Sequence, residues 1–169
     1  MRKDSKNRDI FDLKSSSSEI ASFINKEFDW IGCIPDSMYK IILEKLSSWR
    51  LSSRENHLVG EAFGVKLGGL RPLIMIQNSG IGLCLDALLG TFHLHGIGVV
   101  IFVTNRGTLD WEEIQHQHWG KITKNLLNAS EINFYEFNDL GISAIQKAID
   151  LSNEGSIAVV IFERGNIDE

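Results

Sequence analysis

Two stretches of consecutive apolar residues, 97–103 and 157–162, constrain the fold of this chain more than any other feature of its sequence. A strand with one face in water alternates apolar and polar residues, but these two stretches are apolar at every position. They therefore predict strands that are covered on both faces. Strands of this kind occur in parallel sheets that carry helices on both sides.

Shorter apolar segments alternate with amphipathic segments along the rest of the chain. Further strands are predicted at residues 30–34, 72–76 and 133–137. Helices are predicted up to residue 28, after a cap at Asp36 or Ser37, and at residues 56–67, 82–93, 119–127 and 142–151. This alternation predicts a three-layer α/β sandwich with a mainly parallel sheet of about six strands.

The chain of 169 residues is long enough for one domain with its own core. Residues 1–18 mix charges of both signs and end in four serines, so we expect a disordered N-terminal arm. Ser16 and Glu19 have the spacing of a capping box, which predicts that a helix starts there. The folded domain is predicted to span residues 19–169.

Composition argues against several functional classes. The net charge of −5 disfavours a nucleic-acid surface, which needs clustered lysine and arginine. Cys33 and Cys84 lie in apolar segments, which indicates buried free thiols and a reducing, cytoplasmic location. We find no secretory signal and no run near the roughly 18 apolar residues of a membrane span. The His-x-His segments 93–95 and 116–118 lack further ligands at matching spacing, so no metal site is predicted.

Polar residues cluster where predicted strands end. The segments concerned are Pro35-Asp36-Ser37, Arg54-Glu55, Gln77-Asn78-Ser79-Gly80-Ile81-Gly82, Asn105-Arg106-Gly107 and Gln115-His116. In a parallel sheet, ligands bind beyond the carboxyl ends of the strands, so we expect these segments to converge. Glu55, at a predicted helix start, would face a glycine turn across one short strand.

Each of these residues also has a simpler interpretation. An acid such as Glu55 in a first helical turn complements the helix dipole, and Asp36 after proline is a common N-cap. The Gly80-Ile81-Gly82 segment is weak as a nucleotide motif and would serve equally as a tight turn with positive φ angles. The residue types alone leave these alternatives open.

In their order along the chain, these motifs resemble the pyrimidine-binding domain of thiamine-diphosphate enzymes. The branch is that of phosphonopyruvate decarboxylase and the α subunit of sulfopyruvate decarboxylase. The resemblance covers about residues 19–165 and includes Ile34-Pro35-Asp36-Ser37, Glu55 with Val59-Gly60 and Gly64, the Gln77-Asn78-Ser79-Gly80-Ile81-Gly82 segment, Arg106-Gly107, and Gln115-His116 with Gly120-Lys121-Ile122-Thr123.

The resemblance implies a role for Glu55 as the acid that hydrogen-bonds the ring nitrogen of the cofactor's aminopyrimidine. That bond favours the imino tautomer, which takes the proton from the thiazolium carbon. The same likeness assigns cofactor contacts to Asn78, Ser79 and Gly80 as well, proton transfer to Asp36 and His116, and substrate contacts to Ser37, Gln77, Arg106 and Gln115.

The resemblance also implies a partner. Relatives hold the diphosphate and its Mg²⁺ through a Gly-Asp-Gly motif with a downstream asparagine, and this sequence contains no such motif. We therefore expect a small α subunit that acts with a separate diphosphate-binding β subunit, in an α2β2 assembly. The expected reaction is decarboxylation of a 3-substituted pyruvate, such as phosphonopyruvate or sulfopyruvate, to an aldehyde and carbon dioxide.

Two other functions are compatible with the same motifs: a carboligase that passes the intermediate to an acceptor, and a non-catalytic interaction subunit. The chain departs from its relatives at Leu83 and Asp86, where asparagine is usual, and at Glu61 and Phe63. The pocket is therefore expected to differ in detail. Arg106 would bind an anionic substituent of the substrate, or would simply be solvated.

Overall fold

A computed structural model describes residues 15–167 and contains a sheet of six parallel strands. In chain order these are β1 (Trp30–Cys33), β2 (Arg50–Leu51), β3 (Pro72–Gln77), β4 (Val99–Asn105), β5 (Asn133–Glu136) and β6 (Ile157–Glu163). Their order across the sheet is β2-β1-β3-β4-β6-β5, and every neighbouring pair is parallel. The predicted parallel sheet is confirmed.

Helices cover both faces of the sheet. They are α1 (Ser17–Glu27), α2 (Lys40–Lys45), α3 (Glu55–Leu67), α4 (Asn78–Leu88), α5 (Ile114–Ala129), α6 (Phe137–Leu140) and α7 (Ile142–Asn153). A 3₁₀ turn, Ser37–Tyr39, precedes α2, and a π-helical turn, Leu89–His93, continues α4. None of the helices between residues 15 and 167 is long and apolar enough to cross a membrane.

The core consists of two apolar layers, one on each side of the sheet. Along β3, Leu73 and Met75 pack into the layer formed with α1, α2 and α7, while Ile74 and Ile76 pack into the layer formed with α3, α4 and α5. This alternation follows the two-residue period of a strand. Because every residue of β4 is buried, the prediction of central strands covered on both faces is confirmed, and so is the three-layer architecture.

Two helices begin earlier than predicted. The segment 77–82 is not a glycine turn, because α4 starts at Asn78 and Gln77 is its extended N-cap. Glycine disfavours a helix by about 1 kcal/mol relative to alanine, and tertiary contacts described below override that preference. The helix predicted at 119–127 begins five residues earlier, because α5 starts at Ile114 with a polar first turn that shows no helical apolar period.

The remaining differences lie near the chain's start and in the shortest strand. The capping box is confirmed: Ser16 Oγ accepts from the Glu19 N–H at 3.2 Å, and the Ser16 N–H donates to Glu19 Oε2 at 2.9 Å. Residues 1–14 of the predicted arm lie outside the described residues, and α1 starts at Ser17, two residues before the predicted start of the folded domain. Strand β2 has two exposed residues, too few to show a pattern.

The topology places a crevice at the carboxyl edge of the sheet. The chain leaves β1 toward β2 on one side and leaves β3 toward β4 on the other. Strands β1 and β3 are neighbours, so the connections diverge between their carboxyl ends, which is the switch point where open α/β sheets bind ligands. All polar segments predicted to converge lie at this edge or at the helix starts beside it.

Candidate active site

Glu55 lies against the first turn of α4. A Cβ atom added to Gly80 would lie 2.7 Å from Glu55 Cγ and 3.1 Å from Glu55 Oε1, so only glycine leaves room for this side chain. Gly80 is helical and does not have a positive φ angle, so the tight-turn interpretation is wrong. The sequence predicted that an acid would meet a glycine here, and the structure brings the two into contact through two neighbouring helix starts.

The Glu55 carboxylate sits in a favourable field. It begins α3 and lies beside the start of α4, and neither Arg54 nor Gln77 caps its helix with a side-chain hydrogen bond. The first N–H groups of both helices therefore contribute positive potential around the carboxylate. The Glu55 side chain is half-buried, and it makes no hydrogen bond or ion pair with any other residue of the segment 15–167. The group is positioned but chemically uncommitted.

His116 is held next to the same helix start. It lies in the first turn of α5, and its Nδ1 is 2.9 Å from Gln77 Nε2. An amide nitrogen only donates, so in this orientation Nδ1 accepts and the neutral ring carries its proton on Nε2. Gln77 Nε2 also donates to Ser79 Oγ at 3.2 Å. Gln77, Ser79 and His116 thus form one half-buried polar group beside Glu55 and Gly80.

Asn78 lies behind this group instead of lining it. Its side chain is fully buried, and the two hydrogens of Nδ2 are shared among three acceptors, Asn105 Oδ1 at 3.1 Å, the Arg106 carbonyl at 2.9 Å and Thr123 Oγ1 at 3.1 Å. The direct cofactor contact predicted for Asn78 is therefore not retained, because no surface of the side chain is accessible. Its amide joins the start of α4 to β4 and α5.

Asp36 and Arg106 form a pair at the carboxyl ends of β1 and β4. Asp36 Oδ1 accepts from the Met38 N–H at 2.9 Å and lies 3.5 Å from Arg106 Nη1, which also donates to Ser37 Oγ at 3.1 Å. Asp36 is thus an N-cap, as its simpler interpretation predicted, and it is also part of an ion pair. The alternative of a solvated Arg106 is wrong, since only 14% of this side chain is exposed.

A carboxylate that the sequence did not single out completes this region. Glu112 is 1% exposed and its Oε2 accepts from three consecutive N–H groups, those of Gly107 (2.7 Å), Thr108 (3.0 Å) and Leu109 (3.3 Å). Its Oε1 lies 3.3 Å from Arg106 Nε and 3.6 Å from Arg164 Nε. We call Asp36, Arg106, Glu112 and Arg164 the buried charge cluster.

Gln115 and the other histidines lie outside this arrangement. Gln115 is exposed on the first turn of α5, and His118 is exposed on the same helix. His95 Nδ1 contacts the Thr91 carbonyl at 2.8 Å near the π-helical turn, at the opposite end of α4. In the segment 15–167 we find no group of three potential ligands placed to hold a metal ion.

A buried thiol lies behind each predicted acid. Cys33 and Cys84 are free and buried, as predicted. Burial raises the pKa of Cys84 to about 12, with a further contribution from Glu55, and it raises the pKa of Cys33 to about 12, with a contribution from Asp36. Both thiols are therefore neutral near neutral pH and serve as small apolar groups.

The sequence is similar to three proteins named sulfopyruvate decarboxylase subunit alpha. That of Methanococcus maripaludis is 26% identical over 148 residues, which is 83% of this chain and 88% of that protein. That of Methanothermobacter thermautotrophicus is 32% identical over 83 residues, 48% and 50% of the two chains. That of Methanocaldococcus jannaschii is 27% identical over 118 residues, 66% and 69%. No family model matches the sequence. These similarities support the resemblance that the motifs indicate.

Proposed function

We propose that this chain is the small subunit of a two-subunit thiamine-diphosphate-dependent decarboxylase that acts on a 3-substituted pyruvate. The observation that carries the proposal is the contact between Glu55 and Gly80, which holds an uncommitted carboxylate at the switch point of a parallel sheet. The three similar proteins share a printed name that describes a decarboxylase subunit. The two lines of support are independent, since one is geometric and the other is sequence similarity.

The residues of this chain fit the aminopyrimidine end of the cofactor. The absence of a side chain at Gly80 lets the Glu55 side chain pack against the start of α4, and the Glu55 carboxyl group would exchange a proton with the ring nitrogen. Ser79 would lie at the border of the ring. Thiamine diphosphate, when bound, supplies the carbon nucleophile and the electron sink for loss of carbon dioxide. Its diphosphate and Mg²⁺ would be held by the partner subunit.

The remaining polar residues would handle the substrate. His116 would move a proton through the Nε2 nitrogen that Gln77 leaves available, and Asp36 would act at the other side of the crevice, oriented by Arg106. Ser37, Gln77, Arg106 and Gln115 would contact the 2-oxo acid. The names of the similar proteins favour sulfopyruvate, and phosphonopyruvate would present a comparable anion.

The outer surface of α3 suits close packing against the proposed β subunit. A Cβ added at Gly60 or Gly64 would meet no atom within 4 Å, so the helix backbone is open to a neighbour. Leu83 on the adjacent α4 is exposed as well. Gly60 and Gly64 lie on the helix that begins with Glu55, so a subunit docked along α3 would approach the candidate site. We expect Gly64→Leu to abolish co-elution with the partner, whereas Ser143→Leu, at an exposed position on α7, would not.

The decisive experiment uses the full chain co-purified with a partner that contains Gly-Asp-Gly, encoded beside its gene. We expect aldehyde and carbon dioxide from sulfopyruvate or phosphonopyruvate only when thiamine diphosphate and Mg²⁺ are added. Glu55→Gln should lower kcat at least about 100-fold while the complex stays intact. The exposed control Glu154→Gln should match wild type. Wild-type turnover by Glu55→Gln would overturn the proposal, and a product that appears only with an acceptor aldehyde would indicate a carboligase.

A further inference from the structure

The buried charge cluster raises a question that the proposed function does not answer, namely why Glu112 is buried so completely. A carboxylate loses favourable hydration on burial, so its partners must compensate. Oε2 has three backbone donors in a row, and Oε1 faces two guanidinium groups. The Glu112 side chain thus holds residues 106–112 in a closed loop around its carboxylate.

One end of this loop rests directly on His116. Gly107 has a φ angle of +86°, and a Cβ there would lie 1.9 Å from the His116 carbonyl oxygen. The Gly107 backbone is therefore packed against the peptide of His116, and Glu112 holds it there through the 2.7 Å hydrogen bond to its N–H. A Cβ at Gly120 would likewise meet the Gly107 carbonyl at 2.3 Å, so the loop is wedged against the first two turns of α5.

The other end of the loop reaches Asp36. Arg106 lies between Glu112 Oε1, at 3.3 Å from its Nε, and Asp36 Oδ1, at 3.5 Å from its Nη1. Arg164 approaches the same Glu112 oxygen and lies over the Trp111 ring at 5.1 Å. Without the Glu112 carboxylate, two mostly buried guanidinium groups would lose the anion that they share, and Arg106 would be held only by Asp36 and Ser37.

We propose that Glu112 is the positioning residue that places His116, through Gly107, and Asp36, through Arg106, for proton transfer. The inference rests on the proposed function for the roles of His116 and Asp36. Glu112 touches neither the crevice nor the reacting atoms, because it is 1% exposed. The Glu112 carboxylate therefore fixes the positions of two proton-transfer groups, His116 and Asp36, which follow different strands.

The test compares Glu112→Gln, which keeps length and removes charge, with Glu113→Gln at the exposed neighbouring position. In Glu112→Gln we expect kcat of the two-subunit enzyme to fall about 100-fold, because displacements near 1 Å have effects of that size. In ¹⁵N spectra of the complex, the His116 ring should show the Nε2–H tautomer in wild type and in Glu113→Gln, and a mixture of tautomers in Glu112→Gln. A His116→Asn variant assigns the signal.

Hydrogen exchange of the wild-type complex gives a measurement that needs no variant. The N–H groups of residues 107–109 lie in a loop, and we expect them to exchange as slowly as helical amides because the buried carboxylate holds them. Fast exchange at these three amides would overturn the inference, as would an unchanged His116 tautomer in Glu112→Gln. These spectroscopic readouts do not depend on turnover, so a failed decarboxylase assay would count against the proposed function alone.

Discussion

The α3–α4 junction and the buried charge cluster lie at the same edge of the sheet but satisfy their acids in opposite ways. Glu55 is half-buried and makes no hydrogen bond or ion pair within the described segment 15–167. Glu112 is almost fully buried: its Oε2 accepts from three N–H groups, and its Oε1 lies within ion-pair distance of two guanidinium groups without a hydrogen bond to them. Because an unpartnered buried carboxylate is unfavourable, the first arrangement is suited to a ligand and the second to holding structure. The difference in hydrogen-bond partners, more than the difference in burial, therefore distinguishes Glu55 as the ligand-binding candidate.

The largest expected difference between the two regions is in stability. Glu112→Ala removes the buried carboxylate that two guanidinium groups and three N–H groups share, and we expect it to lower the free energy of unfolding by about 3–5 kcal/mol. Glu55→Ala removes no internal bond and should change it by less than about 0.5 kcal/mol. Urea denaturation of both variants measures the contrast. Equal losses would show that the two acids play the same structural role.

The second prediction separates activity from stability at the junction. Gly80→Ala adds a methyl group where Glu55 Cγ would lie 2.7 Å away, so the carboxylate must move. We expect kcat of the proposed two-subunit decarboxylase to fall about 100-fold. Gly60→Ala, in open space on the same side of the sheet, should instead raise stability by about 0.5–1 kcal/mol through helix propensity. Full activity of Gly80→Ala would mean that the Glu55 position is not critical.

A third prediction concerns Asn78, which links the two regions. Asn78→Ala removes a buried amide donor that three acceptors share, so we expect a loss of about 1–3 kcal/mol in the free energy of unfolding. Because the residue lies behind the crevice, the affinity for thiamine diphosphate should change little in the folded fraction. A large loss of cofactor affinity without a loss of stability would restore Asn78 as a direct contact.

The fold was accessible from the sequence because its strongest signals are local. Continuous apolar runs identify strands buried on both faces, and Ser16 with Glu19 identifies a helix start from four residues. Strand β2 was missed because two exposed residues show no pattern. The start of α4 was missed because glycines disfavour helices on average, while here they admit the Glu55 side chain and the Trp119 ring.

The site was accessible only in part, for a related reason. Glu55, Gln77 and His116 belong to recognisable motifs, and the structure places them together. Glu112 has no local signature, because its partners are backbone N–H groups and Arg164, which follows a different strand. The buried position of Asn78 likewise depends on contacts to β4 and α5, which a motif cannot reveal.

The last comparison concerns the thiols, whose effect is absent at neutral pH and appears only above about pH 9, and it tests whether water reaches the two regions equally. Both thiols have a pKa raised from 9 to about 12, mainly by burial, Cys84 behind Glu55 and Cys33 behind Asp36. Below pH 9 each thiol is neutral in both the folded and the unfolded chain, so ionisation of the thiols does not lower the free energy of unfolding. Above pH 9 the unfolded chain loses the proton while the folded chain keeps it, so stability falls by about 1.4 kcal/mol per pH unit for each thiol.

Free energies of unfolding measured with urea between pH 8 and 10.5 should therefore decline less steeply in Cys84→Ala and in Cys33→Ala than in wild type. In each variant the slope against pH should be smaller by the contribution of the thiol that is removed. The buried Tyr39 also titrates in all three proteins; its pKa is raised mainly by its own burial and only in smaller part by Cys33, so most of its contribution is retained in Cys33→Ala. A slope that changes in Cys33→Ala but not in Cys84→Ala would place water behind Glu55. Internal water would then hydrate the Glu55 carboxylate, and Glu55 would no longer differ from Glu112 in lacking a hydrogen-bond partner.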